Sequence, residues 1–229
     1  MTGEQLRLPV PDEPGPVRHL PAAVRPMVAT PVDAPLDDRD YLFEPWWPGV
    51  RAIAFAERAS LRLQVDGLAD AMAAFPEVAG LPTQLAEDGV IVDGTLLVLD
   101  DDGRPDSGLL RIRLDGAGLP GRAAYVASDL LWAGGQPVTR RSFRIRRRWL
   151  ESILAPGDRA TVGRGYEADG TLVAEALASL GIEGLSARHL DARYRSGPAT
   201  GAWLRAPITP AEPRPRPTLA LILRLPIGD

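Results

Sequence analysis

The sequence contains no lysine, no cysteine and no asparagine. All 26 cationic side chains of the Lys+Arg class are therefore arginine, and a guanidinium keeps its proton at any physiological pH. Chemistry that needs a lysine nucleophile or a lysine Schiff base is excluded for this chain. Alanine, arginine, glycine and proline are abundant, as in proteins from GC-rich genomes, so mutational bias is an alternative explanation for the missing lysines.

The other absences restrict the function further. Without cysteine the chain can form neither a disulfide framework nor a thiolate metal site, and with only His19 and His189 an imidazole cluster is not expected. Any metal would need carboxylate ligands. No apolar run approaches the roughly 20 residues of a membrane span, and no basic start precedes an apolar segment, so we expect a cytoplasmic protein. The net charge of -4 argues against a surface that is basic throughout but permits a local basic patch.

The chain divides into four parts. Residues 1–25 are rich in proline and predict an extended leader outside the core. Residues 26–206 are long and apolar enough to form one globular domain. Residues 207–217 contain five prolines in eleven positions and predict a stiff polyproline II connector. The tail, 218–229, is too short to be a domain, so its apolar stretch predicts a strand or short helix that packs onto the core. A dimer contact is the alternative.

Within the domain, short apolar runs alternate with helical patterns. Residues 51–65 predict a hairpin, whereas 89–100 and 123–132 predict single strands. Three further segments have helical patterns: 68–74, 141–154 and 171–180. Because strands and helices mix without a regular βαβ rhythm, the expected fold class is α+β.

Several pieces of the domain, in this order and spacing, resemble the adenylation domain of ATP-dependent DNA ligases. The pieces are residues 25–29, 41–51, 75–77, 93–96, 128–131, 183–188 and 203–205. Together they cover about residues 26–206, and their order is more specific than any one of them. The resemblance implies a nucleotidyltransferase fold with antiparallel sheets flanked by helices. In the family, ATP and Mg²⁺ are the cofactors.

The resemblance places the family's catalytic motif, Lys-x-Asp-Gly-x-Arg, on residues 46–51. Trp46 stands where the family has the lysine that becomes adenylylated, and Pro48 stands where it has the aspartate. An indole has no basic nitrogen, and proline has neither a carboxylate nor a backbone N–H. Gly49 and Arg51 match the motif. The covalent step is therefore not expected, and we expect no cofactor.

Other positions implied by the resemblance also differ. Thr95 replaces a glutamate on the metal and ribose side, Ser128 replaces the aromatic residue that stacks on adenine, and Arg188, Arg205 and Pro207 replace lysines. Codon bias can explain lysine to arginine but not lysine to tryptophan. Residues left as vestigial nucleotide contacts are Glu44, Arg51, Ser128, Glu183, Arg188 and Arg205. The residues that match the motifs, such as Gly49, Gly94, Gly184 and Trp203, are expected mainly to serve turns and packing.

Two further expectations follow from the resemblance. Family ligases continue into an OB-fold that clamps DNA, whereas 24 residues follow Arg205 here, so no OB-fold domain is expected. The pair Trp46-Trp47 brings aromatic bulk of about 150–250 Å² per side chain to the nucleotide cleft and is expected to fill part of it.

The last candidate feature is residues 140–148, with six arginines in nine positions. Such a run could bind a phosphate backbone through Arg140, Arg141, Arg144, Arg146, Arg147 and Arg148. The alternative is a solvated helix face whose arginines pair with carboxylates elsewhere.

Three functional interpretations remain. The first is a catalytically inactive ligase-like domain that binds DNA or a DNA-repair protein. The second is an interaction or structural domain that does not bind DNA. The third is a ligase or nucleotidyltransferase that still turns over ATP by a noncovalent route. The losses at the catalytic positions favour the first interpretation.

Overall fold

A computed structural model describes residues 19–167, 169–210 and 217–224. Its strands are β1 (Met27–Val28), β2 (Thr30–Pro31), β3 (Tyr41–Pro45), β4 (Val50–Glu57), β5 (Ser60–Val65), β6 (Val90–Leu99), β7 (Arg122–Ala133), β8 (Gln136–Pro137), β9 (Ala160–Val162), β10 (Gly184–His189), β11 (Gly197–Pro198) and β12 (Trp203–Pro207). The helices are α1 (Ala71–Ala74), α2 (Ser107–Leu114), α3 (Phe143–Ile153), α4 (Gly170–Ser179) and α5 (Leu219–Leu223), with a 3-10 segment over Pro76–Gln84. The leader before residue 19 and most of the proline-rich connector lie outside the described residues.

The larger sheet has six strands. Its order is β5-β4-β6-β7-β8, and β9 pairs with β7 in parallel. The predicted hairpin of residues 51–65 is β4 and β5, which pair antiparallel from Ala52↔Val65 to Glu57↔Ser60. Arg58 and Ala59 form its turn with positive φ angles, which non-glycine residues rarely adopt but which two-residue hairpin turns of the primed types require. The predicted strands of residues 89–100 and 123–132 are β6 and β7.

The smaller sheet has four strands in the order β2-β12-β10-β3. Its centre is antiparallel: β10 pairs with β12 on one side and with β3 on the other. A short parallel ribbon, β1 with β11, lies beside it. This mixture of sheets and helices confirms the expected α+β class.

Helices cover both faces of the larger sheet. Alternate residues of β6 point to opposite faces, so Val92 and Leu96 pack with Leu150 of α3, whereas Leu97 packs with Val173 of α4. These contacts belong to the two largest of the four hydrophobic clusters of the described residues, and the second lies between the larger sheet, the smaller sheet and α4. Among the described residues no helix is long and apolar enough to cross a membrane.

Described residues towards each end of the chain also pack onto the domain. The described part of the tail forms a short helix, α5, rather than a strand. Its Ile222 is buried in the second cluster, and its Leu219 N–H donates to the Gly103 carbonyl at 2.9 Å. At the other end, Val24 exchanges two hydrogen bonds with the Gln64 side chain of β5, and Leu20 packs against a hydrophobic cluster. This part of the predicted leader therefore packs against the domain.

Candidate functional site

A cleft of about 350 Å³ opens between the two sheets. Seven of the candidate site residues from the sequence analysis line it: Glu44, Trp46, Arg51, Thr95, Ser128, Arg188 and Arg205. Strands β3, β10 and β12 contribute one wall, and β4, β6 and β7 contribute the other. Pro48 and Glu183 instead line a neighbouring groove of about 580 Å³, on the other side of Trp46 and Trp47.

Arg51 is held at one end of the cleft by Asp93. Its Nε donates to Asp93 Oδ1 at 2.9 Å, and its Nη2 makes a second contact with Oδ2. Tyr194 completes the group by donating its hydroxyl to Asp93 at 2.8 Å, while the Met27 N–H donates to that hydroxyl at 3.0 Å. Burial alone would lower the pKa of Arg51, but the charge and hydrogen bonds of Asp93 raise it above its usual value. Arg51 therefore stays charged and bound to Asp93.

Glu44 is buried and ion-paired at the back of the cleft. It is only 3% exposed, and Arg147 Nη1 donates to its Oε1 at 2.7 Å. Arg188 Nε lies 3.5 Å from the other oxygen of Glu44, Oε2, without forming a hydrogen bond. Burial would lower the pKa of Arg147, but the charges of Glu44 and Glu151 raise it. Glu44 thus belongs to a buried network of ion pairs.

Asp129 is the second carboxylate of this network and is fully buried. It accepts two hydrogen bonds of 2.8 Å from Arg146, and Arg188 Nη1 lies 3.4 Å from its Oδ2. Arg188 therefore bridges Glu44 and Asp129. This use of charge leaves neither carboxylate free for a ligand.

Aromatic rings line the cleft. The rings of Trp46 and Trp203 are 5.8 Å apart, centroid to centroid, and tilted by 32°. The guanidinium of Arg205 lies 4.4 Å from the Trp46 ring, and that of Arg188 lies 4.0 Å from the Trp203 ring. Both distances are within the range of cation–π attraction. Trp46 is half-buried and narrows the cleft without closing it.

Two of the matching glycines are required by close packing. A Cβ atom on Gly184 would lie 2.8 Å from the Cβ of Trp46, whose N–H donates to the Gly184 carbonyl at 2.8 Å. A Cβ on Gly94 would lie 2.5 Å from the Val126 carbonyl oxygen and 2.8 Å from the Tyr125 hydroxyl. Trp203 is also buried, and its Nε1 donates to the Ser186 hydroxyl at 2.9 Å. These residues have packing roles in the structure.

The cleft does not fit the magnesium ion that the family uses. The carboxylates that line it are Glu44 and Asp93, and both are paired with arginine. Thr95 offers only a hydroxyl. Within the described ranges, no three histidine, cysteine, aspartate or glutamate side chains form a group that could hold a metal. The oxygen donors of the cleft are therefore unsuited to a divalent cation.

The arginine run is divided between the interior and the surface, and its part from Arg144 onward lies on α3. Arg146 and Arg147 lie on its buried face, together with Phe143, Leu150 and Ile153. Their spacing of three and four residues is that of one helix face. The expectation that the whole run faces a phosphate backbone therefore does not hold for Arg146 and Arg147, whose guanidinium groups pair with Asp129 and Glu44.

The other four arginines of the run are at least partly accessible. Arg140, Arg141 and Arg148 are exposed, and Arg144 is half-buried and pairs with Glu167 at 3.3 Å. The buried roles of Arg146 and Arg147 were not predicted, although one signal was present. These two arginines repeat in helical register with the apolar positions 143, 150 and 153, which marks them as inward-facing.

The chain is similar to known DNA ligases in sequence and structure. It is 29% identical over 186 residues to the multifunctional non-homologous end joining protein LigD of Mycolicibacterium smegmatis, a match of 81% of the chain and 24% of that protein. It is 30% identical to LigD of Mycobacterium tuberculosis, over 79% of the chain and 23% of the relative. A solved structure described as mycobacterial DNA ligase D complexed with ATP and MES superposes with a TM-score of 0.69 at 28% identity, over 80% of this chain and 59% of that one.

The domain is homologous to the adenylation domains of ATP-dependent DNA ligases and shares their fold. The expected fold and resemblance are thereby confirmed. A comparison with models of protein families gives no match. This ligase-type domain spans less than a quarter of the length of the two LigD proteins. Its cleft lies between the two sheets and is lined by seven of the candidate residues, and the arginine–carboxylate network lies behind it.

Proposed function

We propose that this chain is a ligase-like domain that binds DNA but does not form the covalent nucleotide intermediate of its family. The observation that carries the proposal is that the cleft has no basic nucleophile where the family has its lysine. Its wall at position 46 is a tryptophan held between Trp203 and Arg205, and the chain contains no lysine. A nucleophile with a basic nitrogen is absent from the lining residues of the cleft.

The other lining groups do not replace that nucleophile. Ser128, Ser186 and Thr95 carry hydroxyls, but a hydroxyl needs a neighbouring general base to attack a phosphate. The carboxylates that could act as a base, Glu44 and Asp93, are held by arginines. His189 stacks edge-on against Tyr41 and does not line the cleft. The arrangement supports packing rather than group transfer.

Surface charge supports the DNA-binding part of the proposal. Arg140, Arg141 and Arg148 are exposed and form no ion pair among the described residues. Unpaired arginines of this kind neutralise phosphates and release counterions. The relatives in Mycolicibacterium smegmatis and Mycobacterium tuberculosis are named as end-joining proteins, so an accessory role in DNA repair is the context that we propose.

Binding of the purified chain to fluorescent nicked duplex DNA between 50 and 200 mM salt tests this function. We expect the logarithm of the association constant to fall linearly with the logarithm of the salt concentration, with a slope of roughly -0.9 per phosphate neutralised. No binding at 50 mM salt would overturn the proposal. It would favour the second interpretation, an interaction domain that does not bind DNA.

A further inference from the structure

We propose that the phosphate-binding surface of this domain is built from two chain segments, residues 139–141 and 191–195, rather than from the arginine run alone. The inference rests on the proposed DNA binding and specifies where that binding takes place. Its occupant is the sugar-phosphate backbone of duplex DNA. We call this surface the two-segment patch, and it comprises Arg140, Arg141, Arg193 and Arg195.

The two segments lie side by side because a hydrogen bond between backbone groups connects them. The Tyr194 N–H donates to the Thr139 carbonyl at 3.0 Å. Buried Arg146 adds a second link, since its Nη1 donates to the carbonyls of Arg141 at 2.6 Å and Ala192 at 3.0 Å. One guanidinium thus touches both segments from below. Arg146, which cannot face DNA itself, holds in place the segments that can.

The arginines of the patch are available to a polyanion. Arg140, Arg141, Arg193 and Arg195 are all exposed, and none of them forms an ion pair within the described part of the chain. This distinguishes them from Arg144, which Glu167 neutralises. Asp191 is the acidic residue that lines the hollow beside Arg193 and Arg195. The four arginines of the patch therefore keep their positive charge available to a ligand.

A surface hollow of about 410 Å³ marks the centre of the second segment. Arg193 and Arg195 line it together with Asp191 and Thr200. Arg25 extends the positive surface beyond it, because its guanidinium lies beside Gly197. Charged and hydroxyl donors around a concave surface are the groups that contact phosphate oxygens in DNA complexes.

The patch also lies next to the cleft. Met27 lines the hollow, whereas its neighbour Val28 lines the cleft and is 52% exposed. The β1–β11 ribbon separates the two surfaces. A DNA backbone on the patch would therefore run along the edge of the cleft, and its recognition would not require any residue inside the cleft.

The test compares three double variants for binding to nicked duplex DNA across the salt series. Arg193→Gln/Arg195→Gln removes two charges from the second segment, and Arg140→Gln/Arg141→Gln removes two from the first. The matched control, Arg122→Gln/Arg159→Gln, removes two exposed arginines that form no ion pair within the described part of the chain, at the start of β7 and just before β9. Thermal unfolding of each variant checks that the fold is retained.

We expect both patch variants to bind more weakly and the magnitude of the salt slope to fall by about two, whereas the control keeps the wild-type slope. If only Arg140→Gln/Arg141→Gln weakens binding, the arginine run acts alone and the two-segment patch is wrong. Equal losses in all three variants would indicate a general charge effect and would also overturn it. If the wild type does not bind DNA, the proposed function fails together with this inference.

Discussion

Arg146 and Asp129 form a buried two-point ion pair, in which Nε–Oδ1 and Nη2–Oδ2 are both 2.8 Å. The side chains are at most 1% exposed. Arg146 belongs to the most basic segment of the sequence, yet its charge is used inside the protein. The same is true of Arg147 with Glu44. The arginine run therefore serves both the core and the surface.

The first prediction concerns this pair. Arg146→Met should lower the free energy of unfolding by about 3–5 kcal/mol, because it leaves the Asp129 carboxylate buried without its main partner. It also removes the link between residues 141 and 192. Urea unfolding measures the difference. The matched control is Arg148→Met on the same helix, which is exposed and should change stability by less than about 0.5 kcal/mol. Equal effects would mean that the burial of Arg146 is not important.

The second prediction concerns Gly94, where β6 passes beneath Tyr125. Gly94→Ala should destabilise the domain by about 1–3 kcal/mol, since its methyl group would meet the Val126 carbonyl oxygen and the Tyr125 ring. The Tyr125 hydroxyl lies 2.9 Å from the Val92 carbonyl and 3.0 Å from the Ala52 carbonyl, so the ring cannot move without loss. Thermal unfolding measures the effect. An unchanged melting temperature would contradict a packing role for this glycine.

The third prediction concerns pH. Burial raises the pKa of Glu77, but hydrogen bonds and the charge of Arg113 outweigh it and hold the pKa below its usual value. Because the pKa is lower in the folded state, the stabilisation is complete above the unfolded pKa and is lost as the pH falls through the folded one. Chemical unfolding at pH 7 and pH 3.5 should therefore show a larger loss for the wild type than for Glu77→Gln.

The control for the pH experiment is Glu175→Gln. Glu175 is exposed on α4, so this variant should keep the pH dependence of the wild type. A Glu77→Gln variant with the full wild-type dependence would show that the pair with Arg113 does not couple folding to pH.

Local patterns predicted the main elements correctly. The alternation in residues 51–65 predicted β4 and β5, and the periodic segments at 141–154 and 171–180 predicted α3 and α4. These elements are specified by neighbours along the chain. The two-residue strands β1, β2, β8 and β11 were not predicted, because two residues carry no periodicity and pair only through the tertiary fold.

Seven of the candidate site residues line one cleft, although their partners could not be predicted. Glu44 and Arg147 are 103 positions apart in sequence, and no local pattern indicates that they pair. Likewise, Arg193 and Arg195 belong to no distinctive sequence pattern, and only the fold brings them beside Arg140 and Arg141. Local sequence patterns predict secondary structure, whereas the long-range pairing of these charged side chains depends on the tertiary fold.

We propose that the cleft does not form the covalent nucleotide intermediate of the ligase family. The most direct measurement is incubation of the protein with ATP labelled at the α-phosphate and with Mg²⁺, followed by denaturation and counting of the retained label. An active ATP-dependent ligase serves as the positive control. The account predicts no label on this protein under conditions that label the control. Label that remains bound through denaturation would contradict it and would indicate a nucleophile other than lysine.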